Sequence, residues 1–209
     1  MAIKSLYRLD ETTLTTAVDS VNWNNGSYTG CTSVNGKVWK AINIPSGSNE
    51  INISSVITQN LSGSAFEINF LTKKTWAFWA NQWYIYCNSA TSQNLYLYNT
   101  SATNIRYAYQ HSSWWAQTNI DYTHWMSTDK WYMLTYRGSW TTGELAIDWV
   151  VKSTGTFAST VWAFTSNNYM RISLSWQALQ GTLDQFSFSN SLSSSAWLKN
   201  KYLFYNGFL

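Results

Sequence analysis

In 209 residues the chain has two cysteines, one proline and two histidines, and only 11% of it is Asp, Glu, Lys or Arg. Each scarcity excludes something. Cys31 and Cys87 are too few for a disulfide framework or a cysteine-rich zinc site. Bridged, they would close a long loop and add about 4 kcal/mol on chain-entropy grounds. Free, Cys87 would pack as a small apolar residue inside its Tyr-Ile-Tyr strand. The sequence leaves both open. With charge at 11% against a usual ~25%, the surface has to be built from Ser, Thr, Asn, Gln and Tyr. Cytoplasmic proteins normally rely on charge for solubility, so this surface suits work outside cells or within an assembly. The net charge of +3 comes from scattered cations (Lys4, Lys37, Lys40, Lys73, Lys74, Lys152, Lys199, Lys201). They form no stripe of the kind that neutralises phosphates, which argues against a nucleic-acid partner. Long apolar runs are also missing. Residues 1–10 lack the about 7–15-residue apolar core of a secretory signal, and nothing approaches the ~18 apolar residues of a membrane span. The expectation is a protein that faces outward yet carries no export signal. Virion proteins meet that condition; a trimmed secreted module with an added Met1 meets it equally.

What the chain has in abundance is aromatic: 14 Trp, 14 Tyr and 9 Phe. They fall at strand spacing. In residues 129–155, Tyr132, Leu134 and Tyr136 alternate with Trp131, Met133, Thr135 and Arg137. Turn chemistry follows at Gly138-Ser139 and Thr142-Gly143. Leu145, Ile147 and Trp149 then alternate with Glu144, Ala146 and Asp148, predicting a β-hairpin with carboxylates on one side of its second strand. Further strands are expected over 5–11, 38–44, 65–72, 76–88, 94–99, 104–110, 160–165, 169–175 and 181–189. Within 76–88, Trp83, Ile85 and Cys87 are expected on one face and Tyr84 and Tyr86 on the other. Residues 19–30 and 112–129 read as irregular, and 196–201 as the one helical turn. Elements recur every 8–12 residues or so, as in an all-β sandwich, with no fixed-length repeat and no composition break. One domain over 1–209 is the expectation; a chain this long buries roughly 70% of its unfolded surface.

The order of these motifs resembles the laminin G-like, concanavalin A-like jelly-roll family. The features are Leu6-Tyr7-Arg8-Leu9-Asp10-Glu11, the Phe66-Glu67-Ile68-Asn69-Phe70 strand, the Trp131-led hairpin, Gly181-Thr182-Leu183-Asp184-Gln185-Phe186, an Asn190 to Ser193 segment and Leu203-Phe204-Tyr205-Asn206-Gly207. The resemblance implies an all-β fold, a two-sheet antiparallel β-sandwich. The family's Asp-Gly turn in the central hairpin is absent after Asp148, where Trp149-Val150-Val151-Lys152 intervenes, and this weakens transfer of any ligand site.

Hydrolases of this fold need two carboxylates facing one cleft, about 5–5.5 Å apart in retaining enzymes. Glu144 and Asp148 share a strand face, but Ala146 stands where the hydrolases carry an acid, so a solvated outer face is the plainer reading. His111 and His124 have neither a Gly-x-Ser-x-Gly turn nor a His-x-x-x-His spacing beside them. Sugar binding asks instead for exposed aromatic planes flanked by amides and hydroxyls. His111, Trp114, Trp115, Gln117, Asn119, Tyr122 and Trp125 have that composition, and adjacent Trp114 and Trp115 cannot both point inward in a regular strand. Trp23, Asn24, Asn25 and Tyr28 form a lesser group. Calcium at loop edges is what the resemblance allows as a cofactor. Asp19, Asn22 and Asn24 space their side-chain oxygens like a short metal loop, yet one carboxylate is thin and an Asx turn explains them as well. Asn25, Asn52, Asn60 and Asn99 match the glycosylation acceptor pattern, as chance predicts in so Asn- and Ser-rich a chain.

The reading that follows is a non-catalytic surface module of a virion, phage in type, as a spike, fibre or capsid decoration that grips host-surface glycans. Its expected partners are itself, other virion proteins and that glycan. A structural capsid or tail protein is the alternative, and a secreted glycan-active enzyme module a more distant one.

Overall fold

The computed structural model describes residues 3–45, 49–53, 65–75, 82–88, 94–110, 117–139, 141–157, 169–173 and 179–207. Within them the strands are β1 (Ile3–Tyr7), β2 (Thr16–Ala17), β3 (Gly26–Thr29), β4 (Thr32–Asn35), β5 (Lys40–Ile44), β6 (Glu50–Ile53), β7 (Ala65–Lys74) and β8 (Gln82–Asn88). They continue as β9 (Asn94–Asn99), β10 (Asn104–Gln110), β11 (Gln117–Thr123), β12 (Trp131–Ser139), β13 (Thr142–Ile147), β14 (Val150–Thr156), β15 (Tyr169–Ile172) and β16 (Gly181–Ser189). A helix, α1 (Ser195–Tyr205), follows. One sheet has the order β14-β13-β12-β7-β16-β5-β4, with β1 also on β16; the other has β11-β10-β9-β8-β15-β6-β3-β2. The described pairings are antiparallel throughout. This is the expected two-sheet antiparallel β-sandwich, of jelly-roll type. No helix among the described residues is long and apolar enough to cross a membrane.

The two-residue period explains the core. Tyr132, Leu134, Tyr136, Phe66, Ile68 and Phe70 turn inward from the first sheet to meet Tyr84, Ile85, Leu95, Leu97, Ile105 and Tyr107 of the second. Phe70 lies at the centre, its ring 6.1 to 6.3 Å from those of Tyr84, Tyr136 and Phe186. The first sheet's far face is covered too. Glu67, fully buried, accepts hydrogen bonds from the Ser193 amide at 2.9 Å and Asn69 Nδ2 at 2.8 Å. Arg137 Nη1 donates to the Ser193 carbonyl at 3.1 Å and Lys201 Nζ to Ser187 Oγ at 2.9 Å. These contacts hold the segment leading into α1 against the sheet, and Ser194 caps the helix by accepting from the Trp197 amide at 3.1 Å. A cap and buried Leu198 carry α1 well past the single turn expected from the sequence.

Four expectations change. Residues 117–123, read as irregular, form β11, an edge strand paired with β10 in register; its outward Gln, Asn, Asp and Thr disguise the alternation. Residues 19–30 contain β3. A bulge between Trp83 and Ile85 breaks the alternation in β8, so Tyr84, Ile85 and Cys87 are all buried and Trp83 and Tyr86 are only half-buried. One extra residue in a strand does this. Finally, β13 ends at Ile147, and Asp148 lies in a turn rather than on the strand face with Glu144. Both cysteines are free, and Cys87 is fully buried. Residues 76–81 of the strand expected over 76–88, and the strand expected over 160–165, fall outside the described residues.

Candidate functional site

At one end of the sandwich the edge strands of the two sheets close together. Gly143 of β13 pairs with Gly155 of β14, and Ile120 of β11, on the opposite sheet, fills the space beside them. A Cβ on Gly143 would lie 2.7 Å from Ile120 Cδ1 and one on Gly155 2.6 Å from Ile120 Cγ1. Ser153 Oγ donates to the Asp121 carbonyl at 3.0 Å, bridging the sheets. Below this closure lies an open cleft of about 330 Å³. Its sides are Tyr122, His124, Trp125 and Met126, where β11 runs out, and Ile147, Asp148, Trp149, Val150 and Lys152 of the β13–β14 turn, with Tyr132 between.

The turn is unusual in its residues. Ile147 pairs with Val150, leaving Asp148 (φ 51°) and Trp149 (φ 68°) as a two-residue connection with both residues left-handed. That is the type I′ geometry, which prefers Asn or Asp followed by Gly. A bulky side chain in this region is strained, and such strain persists only where surroundings enforce it. Here they do. The Met133 amide donates to Asp148 Oδ1 at 2.9 Å and the Asp148 amide to the Met133 carbonyl at 2.9 Å. Lys199 of α1 sits over the Trp149 ring at 5.2 Å. The Asp-Gly turn noted as absent from the sequence is replaced by Asp148-Trp149, with an indole in the position that favours glycine. Burial lifts the Asp148 carboxyl above the usual carboxylate range, although the Met133 amide acts against it.

Of the residues singled out in the sequence, Tyr122 and Trp125 line this cleft. Trp125 is 87% exposed, a platform open to solvent. Gln117 and Asn119 belong elsewhere: with Asp121 and Thr123 they are the exposed positions of β11, whereas Ile120 is buried and Tyr122 half-buried. Gln117 Nε2 donates to Asn119 Oδ1 at 2.6 Å. His111, Trp114 and Trp115 lie outside the described residues. Trp149, Tyr132 and Met126 were not anticipated; a Trp in a turn that prefers glycine was the one available sign. His124 is buried, accepts from the Met126 amide through Nδ1 at 3.3 Å, and is lowered to about 4 by burial and by Lys74. Lys74, itself buried, donates to Gln82 Oε1 and the Leu179 carbonyl and is lowered to about 7 by burial.

The carboxylates do not converge on the cleft as a pair. Glu144 forms an ion pair with Arg137, while Asp148 is engaged by the Met133 amide. Asp19 Oδ1 accepts the Leu6 and Val21 amides at 2.9 and 3.1 Å, and Oδ2 the Asn24 amide at 3.3 Å. Asn22 Nδ2 donates to the Lys4 carbonyl. Asp19, Asn22 and Asn24 thus make a hydrogen-bonded Asx turn tied to β1. No group of three or more His, Cys, Asp or Glu fit to hold a metal occurs among the described residues.

A second cluster spreads over the outer face of the second sheet. Trp83 stacks on Tyr98 at 4.4 Å and meets Tyr86 and Tyr96 edge-on at 5.5 and 5.2 Å; Tyr86 stacks on Tyr96 at 5.3 Å. Beside it Arg106 grips Asp121 through Nε at 2.6 Å and Nη2 at 2.8 Å. The β8 bulge, invisible in the pattern of alternation, turns both Trp83 and Tyr86 to this face.

No family model matches the chain, and no curated protein resembles it in sequence. Solved structures do resemble it in fold. Domain 4 of AbnA, an extracellular GH43 arabinanase from Geobacillus stearothermophilus solved with arabinotriose, superposes with a TM-score of 0.74 at 15% identity, over 95% of this chain and 97% of that domain. A botulinum neurotoxin type C structure, whose description ties uptake by cells to two ganglioside molecules, gives 0.71 at 11% identity over 98% of this chain. The botulinum serotype G binding domain gives 0.71 at 12% identity over 97%. The chain spans about half the length of these neurotoxin structures, 51% in each case. At such low identity the likeness establishes one thing, and it is the fold: a jelly-roll β-sandwich.

Proposed function

We propose that this chain is a non-catalytic glycan-binding module, one laminin G-like domain over residues 1–209, displayed on a virion surface as a spike, fibre or capsid decoration. The observation that carries the sugar-binding part is Trp149, held in a left-handed turn at the rim of a cleft that also presents Trp125. An indole at a strained position, in a turn anchored through Asp148 by the Met133 amide and with Lys199 over its ring, is placed for contact rather than for packing. Trp125, Trp149 and Tyr122 offer faces for sugar C–H groups, with Lys152, Asp148 and neighbouring backbone as polar partners. His111, Trp114 and Trp115 stay in this reading on the composition of the sequence around them. The arabinotriose complex of the arabinanase domain and the gangliosides named for the type C neurotoxin support a glycan as partner. The sparse charge and hydroxyl-rich surface support an outward-facing position. An open cleft of this size holds few sugar units, so useful adhesion comes from many copies. Calcium at loop edges is retained only as the resemblance offers it.

A second reading has its own observation. The stacked rings of Trp83, Tyr86, Tyr96 and Tyr98 beside Arg106 suit a contact with another copy or another virion protein, aromatics and Arg being enriched at interfaces. Glycan-array binding by the whole chain separates the two. Loss of at least about tenfold in Trp125→Ala and Trp149→Gly, with assembly intact, supports adhesion. Loss of assembly in Trp83→Ser with no glycan bound by the parent supports the structural role. Polysaccharide hydrolysis abolished by Glu144→Gln would replace both with an enzyme.

A further inference from the structure

A second groove lies away from the cleft, where α1 ends against the first sheet. Arg8, Val38, Trp39, Gln185, Phe204 and Tyr205 line a depression of about 270 Å³, and Val38, Phe204 and Tyr205 continue into a neighbouring one of about 320 Å³ that adds Lys37. Two of its rings face water: Trp39 is 76% and Phe204 57% exposed. Neither Arg8 nor Lys37 forms an ion pair with a described residue, and no carboxylate lines either depression. The nearby Asp184 is withdrawn: it is fully buried, with Oδ2 accepting the Lys37 and Val38 amides at 2.8 and 3.0 Å. Gln185 adds a mark of construction. It sits in a bulge of β16 between Asp184 and Ser187, with φ 56°, and its amide donates to the Arg8 carbonyl at 3.4 Å. Bulges and left-handed non-glycine residues re-aim side chains and gather at functional positions.

We infer that this groove is a separate binding site for a carboxylate-bearing sugar of the uronic acid class. Trp39 and Phe204 supply flat apolar faces for the ring C–H groups. Arg8 supplies the planar fork that matches a carboxylate, and Lys37 a second positive charge. Gln185 lines the groove as well, its side-chain amide tied back to Asp184. A neutral sugar would use the rings alone and leave both cations without a counterpart. The cleft beside Trp149 sets Asp148 against Lys152 in its lining, whereas this groove carries two cations and no carboxylate.

The test is calorimetric titration of the whole chain with trigalacturonate and with neutral arabinotriose, at about 50 mM and 500 mM salt. Trigalacturonate is expected to bind more tightly and to weaken at high salt. Arg8→Ala and Trp39→Ala should each lower its affinity about tenfold or more, with Arg8→Lys in between. Trp125→Ala and Trp149→Gly should leave trigalacturonate unaffected and reduce only arabinotriose. The inference fails if trigalacturonate does not bind, if Arg8→Ala binds it as the parent does, or if its binding is lost through Trp125 instead. Circular dichroism spectra of the variants confirm that fold is retained. Because the variant sets do not overlap, failure here leaves the cleft standing, and failure of the cleft leaves this groove standing.

Discussion

Trp149 shows how a single position can hold two opposed demands. At φ 68° glycine would sit without strain, whereas tryptophan is held there by its neighbours. Trp149→Gly should therefore keep or raise stability, by up to about 1 kcal/mol, while abolishing oligosaccharide binding in the cleft. Urea unfolding together with titration checks it, and a clear drop in stability would mean that the ring is packing rather than platform. Asp148→Ala should lower stability instead, by about 1–2 kcal/mol, because the Met133 amide loses its acceptor. Trp125 was legible in the sequence as an aromatic in an irregular stretch rich in amides and hydroxyls. Trp149 was not, since turn signals are read from Gly, Asn and Pro, and the aromatic residue itself conceals the turn.

Elements depend on pairs that the linear pattern does not display. Gly143 and Gly155 are 12 positions apart yet directly opposed, and together they admit Ile120 from the other sheet. Gly155→Ala should cost about 1–3 kcal/mol through overpacking, with a lowered urea midpoint and an unchanged m-value. It should also weaken cleft binding, because the same closure sets the distance between the end of β11 and the β13–β14 turn. Strands with buried alternation, such as β9 and β10, were legible to the residue. Those shaped by a partner were not: β11 hides behind polar outward residues, and β8 changes phase at its bulge. Gln117 and Asn119 were assigned to one site with Tyr122 because the sequence shows composition but not which side of a strand each residue takes.

For the molecule as a whole, the order of motifs along the chain was enough to give two stacked antiparallel layers, since alternation and turn spacing are both written in the residues. The buried ionisable groups were not, and they set the pH behaviour. Lys74 titrates near 7 in the fold against about 10.4 unfolded, so between these values the unfolded chain binds more protons and stability rises with pH. The rise reaches at most about 1.4 kcal/mol per pH unit from this group, and below pH 7 its penalty is constant. His124, near 4 in the fold against about 6.5, adds a rise across that acid interval. Asp184, raised to about 6 by burial from about 3.9, opposes it, because there the unfolded chain binds fewer protons. The acid effects offset each other, and on the alkaline side Lys201, lowered to about 8 by burial, adds to Lys74. Denaturation midpoints should climb from pH 7 to 9.5, and Lys74→Met should reduce that climb, leaving the part that Lys201 supplies.

The pairing order of the first sheet dictates when the molecule can exist. β16, from residue 181 onward, is the strand that joins β1 and β5 to β7, so until it emerges from the ribosome the early strands have no neighbour linking them to the middle of the layer. Closure of so long a loop is slow, and the nascent chain must wait with its aromatic ribbons uncovered. A version stopped at residue 180 should accordingly be captured by chaperones or precipitate, whereas the full chain is recovered as a cooperative unit.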